Sequence, residues 1–137
     1  MNRTAQAALF AGLVLIMSAG CKTGTILDIR DAGVPATIGQ NLAMDDVAQG
    51  IISAGSKLNW TMAVQTQGHI VGTLAIRRHT AVIDIFYSTN SYSILYKDSS
   101  NLKYDANRKT IHPNYTSWIR NLHAAIQKEL GGAGKPD

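Results

Sequence analysis

Hydrophobic positions along this chain fall into blocks of different period. Residues 7–17 form an unbroken apolar run, Ala7-Ala8-Leu9-Phe10-Ala11-Gly12-Leu13-Val14-Leu15-Ile16-Met17, preceded by Arg3. From Met44 to Lys57, Val47, Ile51, Ala54 and then Leu58 recur at helical spacing with Ala48 and Ile52 beside them, which predicts a helix. Asp45 and Asp46 fall in its first turn, where carboxylates meet the positive end of the helix dipole. Gly50 weakens the helix slightly and permits close approach to a sheet. Between residues 60 and 97 the period drops to two, in four runs separated by Gln67-Gly68-His69, Arg78-His79 and Ser88-Thr89-Asn90. Their alternating positions are Trp60/Met62/Val64/Thr66, Ile70/Gly72/Leu74/Ile76, Ala81/Ile83/Ile85/Tyr87 and Tyr92/Ile94/Tyr96. A polar loop is expected from Asp98 to Lys109. A last helix then begins near Pro113 or Asn114, with Tyr115, Trp118, Ile119, Leu122, Ala125, Ile126 and Leu130 as its apolar stripe and Gly131-Gly132 as its end.

The order helix, four strands, helix predicts an α+β fold. Its expected form is a two-layer sandwich, a four-stranded antiparallel meander with the N-terminal and C-terminal helices on one face. The arrangement resembles the helix-grip type, in which a curved sheet wraps a long C-terminal helix. Asp84 shares a sheet face with Val82 and Phe86, which makes that face the half-wet one and a candidate partner surface. Residues 42–131 are the expected single domain and 132–137 a tail. Residues 21–41 read as a lipidated cysteine followed by a flexible tether, because Gly24, Gly33, Pro35 and Gly39 interrupt any pattern. Ile26, Leu27 and Ile29 offer one candidate edge strand within it.

The apolar run ends in Ser18-Ala19-Gly20-Cys21, and Cys21 is the sole cysteine among 137 residues. A basic start, a short apolar core and small residues at the cut describe a secretory signal, and the run is shorter than the roughly 20 residues a spanning helix needs. With its cysteine, the segment resembles a bacterial lipoprotein signal peptide with its lipobox. That resemblance implies cleavage after residue 20 and acylation of Cys21. Lipid chains bind at about 0.8 kcal/mol per buried methylene, so several chains attach a protein stably. The expected location is the cell envelope, on the outer membrane facing the periplasm, because Lys22 rather than aspartate follows the cysteine. An acylated Cys21 leaves no thiol for a disulfide or a thiolate metal site.

Removing the leader leaves 117 of 137 residues, enough for one core, and lowers the formal charge from +4 to +3 as Arg3 departs. So mild and mixed a charge does not indicate a nucleic-acid binder, and no nucleic-acid partner is expected. The partners expected are the bilayer, through acylated Cys21, and another envelope protein or polymer.

From about residue 79 to residue 122 the text Tyr92-Ser93-Ile94-Leu95-Tyr96-Lys97-Asp98-Ser99-Ser100-Asn101-Leu102-Lys103-Tyr104-Asp105, then Ile111-His112-Pro113-Asn114-Tyr115 and Trp118-Ile119-Arg120-Asn121-Leu122, resembles a family of small, uncharacterised bacterial lipoproteins. The resemblance covers about a third of the chain. It implies location and fold, and it carries no activity.

Candidate chemistry is sparse. Tyr92, Tyr96 and Tyr104 with Asp98, Ser99 and Asn101 are dense in rings and hydrogen-bonding groups. They read either as a polar ligand site or as a loop that satisfies its own backbone and is fastened to the last helix. Asp98, Ser100, Asn101 and Asp105 are oxygen-rich but lack the acid and glycine pattern of a calcium loop. The four histidines, His69, His79, His112 and His123, contain no i, i+4 pair, so no metal is expected. His112 reads as a cap for the loop–helix junction, or as the base of a minor hydrolase served by Ser99 or Ser100 and Asp98 or Asp105. No Gly-x-Ser-x-Gly elbow and no phosphate-binding glycine loop accompany it. Arg77 and Arg78 form a basic hairpin end suited to phosphate groups of an envelope surface. The expectation is a non-catalytic binding or structural module without a cofactor. A small-ligand module, with a pocket beside Tyr92, Tyr96 and Trp118, is the alternative.

Overall fold

The computed structural model describes Gly20, residues 22–35 and residues 41–132. The leader before Gly20, Cys21, positions 36–40 of the expected tether and the tail from 133 lie outside the described residues. The described residues form an α+β fold with two helices, a five-stranded antiparallel sheet and a small two-stranded one. In chain order the elements are β1 (Gly24–Thr25), β2 (Ile29–Gly33), α1 (Met44–Lys57), β3 (Thr61–Thr66), β4 (His69–Ile76), β5 (His79–Tyr87), β6 (Ser91–Ser100), β7 (Thr110–Ile111) and α2 (Pro113–Gly132).

The large sheet has the order β2-β6-β5-β4-β3, so it holds five strands, not four. The fifth comes from the stretch expected as tether. β2 lies on the outer edge of β6, pairing Ile29 with Ile94, Ala32 with Tyr92 and Gly33 with Ser91. The register shifts between Ile29 and Ala32, and Asp31 has a left-handed φ of 50°. That irregularity breaks the period-two signal, and the edge strand expected at Ile26, Leu27 and Ile29 lies instead at Ile29–Gly33. Just upstream, β1 pairs Gly24 with Ile111 and Thr25 with Thr110 of β7, so residues 24–33 are built into the fold on both sides.

One sheet face is apolar across strands: Ile70 opposes Ile85, Gly72 opposes Ile83, Leu74 opposes Ala81, and Ile85 opposes Ile94. All of these but Gly72 share a single buried cluster with Val47, Ile51 and Ala54 of α1 and with Tyr115, Ile119, Leu122, Ile126 and Leu130 of α2. Each fully buried valine, leucine or isoleucine side chain there contributes roughly 1.5–3 kcal/mol. Trp60, expected as the first strand residue, instead lies just before β3, with 3% exposure. At the start of α1 the Asp46 carboxylate accepts the Ala43 N–H at 3.1 Å, reaching back over the first turn. α2 runs to Gly132, with Gly131-Gly132 as its last described residues.

Candidate functional site

The loop after β6 is held from several directions. Asp98 and Ser99, expected in that loop, are still strand: Asp98 opposes Val82 and Ser99 opposes Ala81. A shift of register at Val82/Ile83 makes Lys97 the extra residue on β6 and lets Tyr96 oppose Ile83 on the core side. Tyr96 stacks on Tyr104 with ring centres 4.2 Å apart and meets Tyr115 edge-on at 5.7 Å. Its hydroxyl lies 2.9 Å from Ser99 Oγ, and its backbone N–H donates to Asp28 Oδ1 at 3.1 Å. Burial pushes the Tyr96 hydroxyl up, the Ser99 hydrogen bond pulls the other way, and Asp98 and Tyr104 add to the rise. The Asp98 carboxylate accepts the Ser99 N–H at 2.8 Å. The candidate ligand groups of this segment are thus spent largely on one another, and Leu102, 1% exposed, pins the loop beneath them.

His112 precedes α2, and its Nδ1 accepts the Asn114 N–H at 3.2 Å, which makes the imidazole the helix cap. Its own N–H donates to Leu102 O at 2.8 Å. Of the expected base and serines, His112 is engaged with Asn114 and Ser99 with Tyr96, while Ser100 ends β6 opposite Thr80. His79 lies against His112, with ring centres 6.1 Å apart, and places Nδ1 2.8 Å from Asn101 O. Asn101, with φ of 57°, donates Nδ2–H to Arg78 O at 2.6 Å. Arg77, φ 55°, and Arg78 form the exposed two-residue turn between Ile76 and His79. The structure so brings Arg77, Arg78, His79, Asn101 and His112 to one end of the sheet. Asp105 closes the neighbouring loop, its Oδ1 accepting the N–H groups of Asn107 at 2.9 Å and Arg108 at 3.0 Å.

Tyr92 is at the other end of β6 and belongs to the core, 1% exposed. Its hydroxyl accepts Gln127 Nε2–H at 2.8 Å and sits 2.8 Å from His123 Nδ1. Burial raises its ionisation above the ordinary tyrosine range, and the Gln127 bond offsets part of that. Neither Tyr92 nor Tyr96 lines the cavity at Trp118. That cavity, about 80 Å³, is bounded by Leu58, Trp60, Leu74, Ile76, Trp118 and Asn121. Sites for drug-sized ligands run from about 300 Å³ upward, so it holds a few waters at most. A larger recess of about 360 Å³ lies elsewhere, between α1 and the edge strand β3, with Ile52, Val64 and Tyr87 in its wall.

The uncovered sheet face carries a polar cluster that the sequence did not single out. His69 Nε2 lies 2.7 Å from Asp84 Oδ1, and Lys97 Nζ donates to the same carboxylate at 3.0 and 3.2 Å. The His69 ring stacks on Phe86 with centres 4.5 Å apart, while Phe86 stays 45% exposed. Burial by itself would raise the Asp84 carboxyl, but hydrogen bonds and charge from His69 and Lys97 prevail and hold it below its usual range. The one sequence signal was an acid between Val82 and Phe86, and its partners come from two other strands. Among the described residues no group of three or more histidine, cysteine or acidic side chains could hold a metal ion. No described helix is long and apolar enough to cross a membrane.

Compared with known protein families, with curated proteins and with solved structures, the chain matches none.

Proposed function

We propose that this chain is a lipid-anchored lipoprotein of the bacterial envelope whose folded domain is a non-catalytic binding or structural module for another envelope component. The observation that carries the reading is Ser18-Ala19-Gly20-Cys21 standing behind a short apolar run with a basic start. Acylated Cys21 is the attachment, and the outer membrane facing the periplasm is the location. The helix-grip-like arrangement of the sheet around α2 belongs to the same reading. It directs one sheet face inward and leaves the face of Val82, Asp84 and Phe86 for a partner. That face supports the binding role because it combines exposed apolar surface with a fixed ionic cluster, the mixture that gives an interface both area and orientation. The engagement of Ser99 with Tyr96 and of His112 with Asn114 supports the non-catalytic part.

Mass spectrometry of the mature amino terminus tests the attachment: an acylated Cys21 is expected, and a free thiol in a soluble periplasmic form overturns it. Photo-crosslinking in cells from position 86, compared with position 124 on the exposed side of α2, tests the binding face. A discrete adduct from 86 alone is expected. No adduct from 86, or the same pattern from both, overturns that assignment.

A further inference from the structure

We infer that the sheet end bearing Arg77 and Arg78 rests directly on the anionic phospholipid headgroups of the bilayer that holds Cys21. The inference depends on the lipid-anchor reading and adds an orientation to it.

Two independent observations support it. The first is reach. Gly24 pairs with Ile111, Ile26 N–H donates to Lys109 O at 2.9 Å, and Thr116 Oγ1 donates to Thr25 O at 3.5 Å. The chain is thus fixed to β7 and the start of α2 from residue 24 onward. Only Lys22 and Thr23 separate Gly24 from Cys21, and three residue steps span at most about 11 Å. An acylated Cys21 therefore holds this end of the domain at the headgroups. A long flexible stand-off, the sequence expectation, has no chain left to form it.

The second observation is charge. Exposed Lys22, Arg77, Arg78, Arg108 and Lys109 belong to this end. They are joined by an unbroken path of contacts: Arg78 O to Asn101 Nδ2, Asn101 O to His79, His79 against His112, and Ile111 beside Gly24. The acids nearby are already engaged. Asp28 is paired with Arg30 at 2.7 Å, Asp105 binds two backbone N–H groups and faces Arg108 at 3.8 Å, and Asp98 binds the Ser99 N–H. At the opposite end of the strands, α1 begins with Asp45 and Asp46. The cations thus face the side to which the anchor pulls, within about a screening length of an anionic surface. β4, with eight residues, separates the two ends by roughly 26 Å at about 3.3 Å per residue. Docked in this way the strands stand upright, and the open face is left free along its whole length.

The test uses the full protein purified from membranes, with acylation first verified by mass spectrometry, reconstituted into vesicles carrying a fluorescent headgroup acceptor. Because the Cys21 thiol is consumed, Asn107→Cys and Gln67→Cys each provide a unique label, at the near and far ends. In phosphatidylcholine vesicles containing phosphatidylglycerol, energy transfer from position 107 should far exceed that from 67. The difference should shrink in phosphatidylcholine alone. It should also shrink in Arg77→Asn/Lys109→Asn, whose asparagines tolerate the left-handed backbone at both sites. Each cation removed is expected to weaken the docked state about fivefold. A Gly-Ser insert between Lys22 and Thr23 should reduce the difference further. Equal transfer from both labels, or a difference indifferent to lipid charge, overturns the docking and leaves the anchor standing. A difference seen only when lipopolysaccharide is present overturns the phospholipid assignment. An unacylated Cys21 overturns the anchor itself.

Discussion

His69 and Asp84 face each other on the open side of the sheet, with Nε2 and Oδ1 2.7 Å apart. They are not directly opposite: His69 opposes Phe86 and stacks on it, which turns the imidazole toward the acid two residues away. Lys97, the extra residue where β6 shifts register, reaches the same carboxylate from the other side. Three strands are thereby tied across this face.

The Asp84 carboxyl has a lowered folded-state pKa, so its contribution to stability is fully present above the unfolded value and is lost as pH falls through the folded one. Stability should therefore decline on the acid side of the ordinary carboxylate range. Asp84→Asn should flatten that decline and cost about 1–2 kcal/mol at neutral pH, since hydrogen bonds to charged groups are worth somewhat more than neutral ones. Urea midpoints for both proteins at neutral and acid pH check this. An unchanged acid slope in the variant would assign it to other carboxylates.

Tyr115 is fully buried and its hydroxyl has no hydrogen-bond partner among the described residues. Burial, with Asp28, Tyr96 and Tyr104 adding like-signed charge, raises its ionisation far above the tyrosine range, so the group stays neutral. A stranded buried hydroxyl costs about 1–3 kcal/mol. Tyr115→Phe keeps the ring against Tyr96 and removes only the oxygen. It should leave the protein at least as stable, with a gain of about 1 kcal/mol, read from thermal or urea unfolding.

Asn101 tests how much the basic end depends on its wiring. The residue combines a left-handed φ of 57° with a side-chain bond to Arg78 O and a backbone bond to His79. Asn101→Ala loses the side-chain bond and strains the backbone, each worth about 1 kcal/mol. Asn101→Gly loses only the bond. Alanine should therefore be the more destabilised of the two, by about 1 kcal/mol at the urea midpoint. Equal losses would mean that the loop relaxes out of the left-handed region.

Elements with a clean period were legible in the sequence. α1 covers Met44–Lys57 because its apolar residues keep one stripe, and the alternation of Ile70, Leu74, Ile83, Ile85 and Ile94 marks the buried sheet face. β2 was legible only as an edge strand placed too early, at Ile26, Leu27 and Ile29, because Ile29 is the one large apolar residue of its irregular register, and β1 is only two residues long. The sites divide in the same way. A turn was expected at Arg78-His79, between two alternating runs, and it lies one residue earlier, at Arg77-Arg78. The convergence of His79, Asn101 and His112, and of His69, Asp84 and Lys97, comes from tertiary register, which composition cannot encode. Tyr92 misled for the opposite reason: its polar hydroxyl suggested a site, while Gln127 and His123 on α2 supply its partners inside the core.

Leu102 is the sharpest test of whether the segment after β6 is a mobile loop or part of the core. It is the one leucine, isoleucine or valine between Ser100 and Thr110, and it is 1% exposed. Its carbonyl accepts the His112 N–H at 2.8 Å, so the side chain and the helix cap are fastened at one point. Truncating a buried leucine to alanine removes transfer free energy and leaves a cavity, together about 2–5 kcal/mol. Leu102→Ala should fall in that range and should speed amide exchange locally at residues 101–112. Tyr104 offers the control. It stacks on Tyr96 but is 40% exposed, so Tyr104→Ala should cost only about 1 kcal/mol. If the two variants lost equal stability, the segment would be held by its ring stack and not by the buried leucine. The path of contacts from Arg78 to His112 would then rest on the surface of the fold, not on its core.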